Sequence, residues 1–374
     1  MPDPIPQPDN PPAVVPTPVP LKPTSAPVKI REPKHNFSST QGLLSRLQEL
    51  TGTPVISYYN SARSSMVQSH PDLFLDQLHQ IGHQKTLSLV LVSYGGEGHA
   101  ALRIASILRH YCEFLNVLVP SRAASAATML CLAADKIIMS PSGFLSAIDS
   151  SLRHGLNPKG PDNKPVTVSV DQVKRVLKFL SDEGPSKIDG TVSEGAYRTL
   201  FKYLHPLALG EIDRASSNST LIATKIMNLH PDIFGSSEKI SYLADHLVNG
   251  YPAHGFPILY QEAREIGLPV EMADEQLSDL LRDLVRSYDV ATLPATTHFS
   301  ETFYRFTGYP DIIESSGRRI SYRYSYNKRF NPVSREWLTE NDLSQWINFL
   351  PGPGGKIQIQ ALDVPAPPAA APLS

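Results

Sequence analysis

Two short pieces of this chain have residue types that could do chemistry together: Tyr94-Gly95-Gly96 and Ala123-Ala124-Ser125-Ala126-Ala127. The first ends the apolar run Leu87-Ser88-Leu89-Val90-Leu91-Val92-Ser93. The second follows Asn116-Val117-Leu118-Val119-Pro120 and opens a helical pattern from Thr128 to Ala134. A strand ending in two glycines leaves backbone N–H groups free to face a ligand, with no side chain to block a close carbonyl. A serine between small residues at a strand-to-helix turn sits at the positive end of the helix dipole. Together they would supply a nucleophile and an oxyanion hole, so a serine hydrolase is the leading reading. Taken alone, Ala-Ala-Ser-Ala-Ala also suits tight helix packing.

These pieces need strands that end side by side. A short amphipathic helix is expected at 42–50, a strand at 54–59 and a helix at 72–81, where Leu73, Phe74, Leu78 and Ile81 have helical spacing. A strand at 87–93, a helix at about 97–111, a strand at 115–119, a helix at 125–134 and a strand at 136–139 follow. This alternation implies βα units around a mainly parallel sheet. The run 87–93 is apolar at nearly every position, as in a strand covered on both faces. Residues 155–166 and 182–190 read as loops, with a helix from Ser169 to about 181 between them. Further helices are expected at 193–228 with a break near Pro206, at 236–249, from Tyr260, and at 274–287. Ile320 to Tyr326 alternates with period two and reads as a strand. Arg318, Arg319, Arg323, Lys328, Arg329 and Arg335 surround it, and with no nucleic-acid signature nearby they read as a solvated hairpin.

The 374 residues suffice for one large domain or two smaller ones, and a net charge of −2 gives no global basic field to hold nucleic acid. Twelve of the 34 prolines lie in residues 1–35 and six lie after residue 350. Those ends, 1–35 and 351–374, are expected as disordered tails, because they have little apolar surface to bury. The folded part divides into 36–290 and a small α+β appendage at 291–350. Cys112 and Cys131 sit in apolar surroundings and read as buried, reduced thiols. No metal-ligand spacing is present, and no cofactor is implied. The N-terminus has no secretory pattern, and the longest apolar stretch, Ala123–Met139, is broken by Asp135 and Lys136. A cytoplasmic protein with no membrane span is expected.

Tyr94-Gly95-Gly96, Ala123-Ala124-Ser125-Ala126, Ala133-Ala134-Asp135-Lys136-Ile137 and Glu262-Ala263-Arg264-Glu265-Ile266-Gly267-Leu268 occur in that order, with Pro252-Ala253-His254-Gly255-Phe256-Pro257-Ile258 between the last two. In this the chain resembles Clp-fold serine peptidases, above all the serine dehydrogenase proteinase (SDH) family, related to signal peptide peptidase A and the Clp proteolytic subunit. The resemblance covers about residues 42–285. It implies a ClpP/crotonase-like fold of repeated ββα units, a peptide or protein substrate, and a homo-oligomer.

By that resemblance Ser125 is the nucleophile, and the N–H groups of Gly95, Gly96 and Ala126 form the oxyanion hole. The Clp proteolytic subunit carries a histidine soon after the strand that follows the nucleophile helix. Here Phe144-Leu145-Ser146-Ala147-Ile148-Asp149 has none, and His154 lies just beyond. A Ser–Lys dyad, as in signal peptide peptidase A, is therefore the better match. Lys159, Lys164, Lys174, Lys178 and Lys187 are the candidates, and Lys187, before a long helix, matches the family context best. Burial would lower the pKa of such a lysine and make it a base. Asp149 falls where SDH-like sequences carry an aspartate, although Ser146, Ala147 and Ser150 depart from their pattern. His99 and His254 are candidates for the pocket, and structural roles are open to both. Two other readings stand beside the peptidase: an inactive Clp-fold scaffold, and a crotonase-like acyl-CoA enzyme, which would place carboxylates opposite the oxyanion hole.

Overall fold

The computed structural model describes residues 35–148, 151–152, 159–160, 166, 168–169, 172–173, 175–176, 179, 198 and 201–366. The chain begins α1 (Phe37–Thr51), β1 (Val55–Asn60), α2 (His70–Ile81), β2 (Gln84–Val92), α3 (Gly98–Tyr111), β3 (Cys112–Val119), β4 (Arg122–Ala123), α4 (Ala126–Cys131), β5 (Lys136–Met139) and β6 (Phe144–Ser146). After the short pair β7 (Ser151–Leu152) and β8 (Val168–Ser169) come α5 (Pro206–Met227), α6 (Ser237–Asn249), β9 (Pro257–Ile258), α7 (Tyr260–Glu265), β10 (Val270–Met272) and α8 (Glu275–Thr292). The C-terminal part holds β11 (Ala295–Thr297), β12 (Phe303–Gly308), β13 (Asp311–Ser315), β14 (Arg318–Asn331), β15 (Glu336–Glu340), β16 (Gln345–Pro351) and β17 (Ile357–Ala361), with a 3-10 turn at Pro353–Gly355.

One sheet runs β10-β5-β3-β2-β1-β13-β14-β12-β11, with its first five strands parallel. A small second sheet, β4-β6-β9, lies against it. The protein is thus α/β and built from ββα units: β2 with Ser93 and α3, then β3, β4 and α4, with β5 and β6 repeating the strand pair. Bridge Ser93↔Ala123 and pair Arg122↔Phe144 join successive units along the second sheet.

Side-chain alternation explains why β1 and β2 read as continuous apolar runs. Ile56, Tyr58, Leu89 and Leu91 face a core built with Leu73, Phe74 and Leu78 of α2 and Ile104 and Leu108 of α3. Val55, Tyr59, Val90 and Val92 face the opposite core, with Leu44 and Leu47 of α1 and Leu277, Leu281 and Leu284 of α8. Each fully buried aliphatic side chain contributes about 1.5–3 kcal/mol. The expected break at Pro206 is present, because Pro206 opens α5 and has no N–H to continue a helix from above.

Several expectations are corrected. Residues 291–350 extend the main sheet: β13 pairs antiparallel with β1, from Ser57↔Glu314 to Asn60↔Asp311. The segment 351–374, expected as a disordered tail, contains β17, whose Ile357-Gln358-Ile359-Gln360 pairs with β16 beyond a turn holding Pro351 and Pro353. Arg318 and Arg319, expected in solvent, are buried at 8% and 1% exposure, and Arg319 Nε donates to Glu314 Oε2 at 2.9 Å. The helix expected at 125–134 spans only Ala126–Cys131, and Ser125 lies outside it with φ 54° and ψ −119°. Both cysteines are free and buried as expected, and burial pushes the Cys112 thiol up to about 11.

Candidate active site

Ser125 stands between β4 and α4 in a backbone conformation that an L-residue rarely adopts. Such a conformation costs about 1–3 kcal/mol and persists only where its surroundings impose it. Here they do. The Ser125 N–H donates to Ser146 Oγ at 2.9 Å, the Ser146 N–H donates to Thr128 Oγ1 at 3.0 Å, and Thr128 Oγ1–H donates to Ala123 O at 2.7 Å. Ser146 and Thr128 are buried. This chain of bonds ties both sides of the turn to α4 and β6.

The glycine turn lies against it. Gly95 and Gly96 have φ 103° and 143°. A Cβ on Gly95 would fall 2.7 Å from Ala124 O and from Ser125 Cβ, so only glycine lets the two turns touch. A Cβ on Gly96 would fall 2.3 Å from Met66 O. Among the described residues the N–H groups of Gly96 and Ala126 have no acceptor. Gly95, expected as a third oxyanion donor, is different: its N–H donates to Ser93 Oγ at 3.0 Å, and Ser93 Oγ–H donates to Asn60 Oδ1 at 2.8 Å. Its role is close approach.

Ser125 opens onto a cavity of about 300 Å3 lined by Tyr94, Gly96, Gly98, Met129, Ile148, Asn218, Ser219, Ile222 and His254. Met129, Ile148 and Ile222 make an apolar wall, and α5 contributes Asn218, Ser219 and Ile222. Tyr94 is half exposed at the rim, with the Arg122 guanidinium 4.2 Å from its ring centre. His254 therefore shares the cavity with Ser125. His99 does not. It lines the neighbouring cleft with Glu211, Arg214 and Ala215, and Asn218 belongs to both. Lys187 and Asp149 lie outside the described residues, as do Lys164, Lys174, Lys178 and His154. Lys159 is exposed. Among the described residues no carboxylate lines the cavity, and no His/Cys/Asp/Glu cluster could hold a metal.

Ser146, Thr128, Ser93, Met66 and Asn218 all support the site and were not singled out for it by sequence reasoning. Ser93 and Ser146 carry a faint signal, being hydroxyls at the ends of apolar strands. Met66 carries none.

No family model matches the chain. A curated relative, an uncharacterized protein of Methanocaldococcus jannaschii, is 26% identical over 245 residues, covering 65% of this chain and 72% of its own. Among solved structures, the chain is similar to ClpP1 from Listeria monocytogenes at 14% identity, covering 62% of this chain and 99% of that one, with a TM-score of 0.30. It is also similar to a membrane-bound stomatin-specific protease at 13% identity, covering 65% and 88%, with a TM-score of 0.33. At such scores the chemistry of this chain rests on its own geometry. Among the described residues no helix is long and apolar enough to cross a membrane.

Proposed function

We propose that this protein is a serine peptidase. The observation that carries the reading is Ser125, held at positive φ beside the Gly95-Gly96 turn and facing a cavity that Gly96 also lines, with the Gly96 and Ala126 N–H groups lacking an acceptor among the described residues. Ser125 Oγ attacks the peptide carbonyl carbon and its proton passes to a base. The N–H groups of Gly96 and Ala126 hold the oxyanion, and the base returns the proton to the departing amine. Water then hydrolyses the ester on Ser125 and restores the hydroxyl. We assign the base to Lys187 by resemblance; His254, by its place in the cavity, is the alternative. The apolar wall of Met129, Ile148 and Ile222 suits an apolar substrate side chain. A homo-oligomer and a cytoplasmic site of action belong to the same reading.

The test is casein cleavage and fluorophosphonate labelling by the wild type and Ser125→Ala, read by mass spectrometry. Labelling on Ser125, and a loss of cleavage in the variant by roughly 10^3-fold or more, are expected. Equal cleavage by both would place the nucleophile elsewhere. Inactivity of both would favour the scaffold reading. Lys187→Ala beside His254→Ala then identifies the base.

A further inference from the structure

Residues 61–69, between β1 and α2, lie directly against the glycine turn. Met66 is fully buried and pairs with Gly96. Its N–H donates to Gly95 O at 2.8 Å, and its carbonyl accepts the Glu97 N–H at 2.9 Å. The backbone of Met66 is therefore the template on which the turn carrying the Gly96 donor is built. The segment itself has no ladder along its length, so its position must be fixed from elsewhere.

Gln68, near the far end of the segment, donates to Glu97 Oε2 at 2.8 Å and accepts from Arg103 Nη1 at 3.1 Å, and the rest is held by the C-terminal strands. The Ser61 N–H donates to Pro310 O at 2.9 Å. Asp311, at the start of β13, is buried at 3% exposure. Its Oδ2 accepts Ser64 Oγ–H at 3.0 Å and lies 3.7 Å from His70 Nε2, while its Oδ1 accepts the Tyr322 N–H at 2.8 Å. His70, wholly buried, lies with Nδ1 2.5 Å from Tyr58 Oη and 3.4 Å from the Val67 N–H. Asp311 and His70 thus grip the segment on either side of Met66, at residues 64 and 67.

We propose that Asp311 and His70 are positioning residues for the oxyanion turn, and that this is what the C-terminal strands contribute to the site. The inference rests on the peptidase reading for its catalytic consequence. Gly96 N–H stabilises charge that exists only in the transition state, so a shift of the turn lowers kcat and leaves KM nearly unchanged. Asp311 accepts two hydrogen bonds with two oxygens. An asparagine there keeps one oxygen for the Tyr322 N–H but can meet Ser64 Oγ only by reversing that bond, and it removes the negative charge that strengthens both.

The test uses the full chain as wild type, Asp311→Asn and Ser64→Ala, with Ile347→Val as a control that loosens the separate core cluster of Phe37, Ile347 and Phe349. Hydrogen exchange reads the Met66 and Glu97 amides, and ester hydrolysis reads kcat and KM. In Asp311→Asn, exchange at both amides is expected to rise at least about tenfold, and kcat to fall about 10–100-fold with KM within about threefold. Ser64→Ala, which removes only a part-exposed hydroxyl, moves both readouts the same way by less and serves if Asp311→Asn does not fold. The control leaves both amides unchanged. Unchanged exchange at Met66 and Glu97 in the Asp311 and Ser64 variants overturns the proposal, as does raised exchange with unaltered kcat. Raised exchange in a protein whose Ser125 never acylates keeps the grip on the turn and removes the peptidase reading.

Discussion

Gly96 has a φ of 143° and an imaginary Cβ only 2.3 Å from Met66 O, so two independent constraints hold the position to glycine. The first is intrinsic to the backbone and the second comes from a segment about thirty residues earlier in the chain. Gly96→Ala is expected to cost at least about 1–3 kcal/mol in stability. On the proposed mechanism it should also lower kcat roughly 10^2–10^3-fold, because the turn must shift to clear the methyl group and takes the Gly96 N–H with it. Urea denaturation and steady-state kinetics on the same preparation check both; a variant with wild-type kcat would mean that Gly96 N–H does not touch the oxyanion. Ser125, by contrast, tolerates its unusual conformation because Ser146 and Thr128 bond the turn on either side.

At the scale of elements, periodicity reported the helices well. In α8 Leu277, Leu280, Leu281, Leu284 and Tyr288 follow helical spacing and are buried, and Asp274 caps the start with Oδ1 accepting the Leu277 N–H at 2.8 Å. In β14 the period-two run is legible in the sequence, but its flanking arginines look solvated when only their neighbours in sequence are considered. In the fold Arg319 meets Glu314, itself wholly buried, and Glu314 Oε1 also accepts Thr40 Oγ1–H and Gln41 Nε2–H, each at 2.7 Å. This cluster fastens α1 to β13 and β14. Arg319→Met removes one partner and leaves a buried carboxylate without its counter-charge, so a loss of about 3–5 kcal/mol is expected. Adding Glu314→Gln should recover much of that loss. Chemical denaturation of the single and double variants decides it: a single variant within 1 kcal/mol of wild type would show that Glu314 finds another partner (roughly the value of an exposed pair).

At the scale of the whole molecule, β1 is an interior strand, with β2 on one side and β13 on the other. All six of its residues are buried. A chain ending at residue 294 would leave the β1 edge and its apolar side chains open to pairing with another copy. Such a chain is expected to aggregate or fail to fold, seen as material in the void volume on size exclusion and loss of a cooperative melt. A soluble, cooperatively melting truncation would make the C-terminal strands a true appendage. The same connection carries the link from Asp311 through residues 61–69 to Gly96, so the strands that complete the sheet also reach the site.

Whatever local rules govern is legible in the order of the residues. Apolar runs and helical spacing set the strands and helices of the core, and the glycine pair and the serine at strand ends marked where a site could form. These are properties of neighbouring residues and survive without knowledge of the fold. Tertiary structure decided which donors face the cavity: Gly95 N–H is taken by Ser93 Oγ, while the Gly96 turn is set by Met66. It put His254 in the same cavity as Ser125 and His99 in the next cleft. It also turned Arg319 inward and joined β13 to β1 across some 250 residues of chain. The Gly95–Ser93 and Arg319–Glu314 contacts are close in sequence, but the others depend on pairing between distant segments, whose free energy comes from contacts and desolvation that no local pattern encodes.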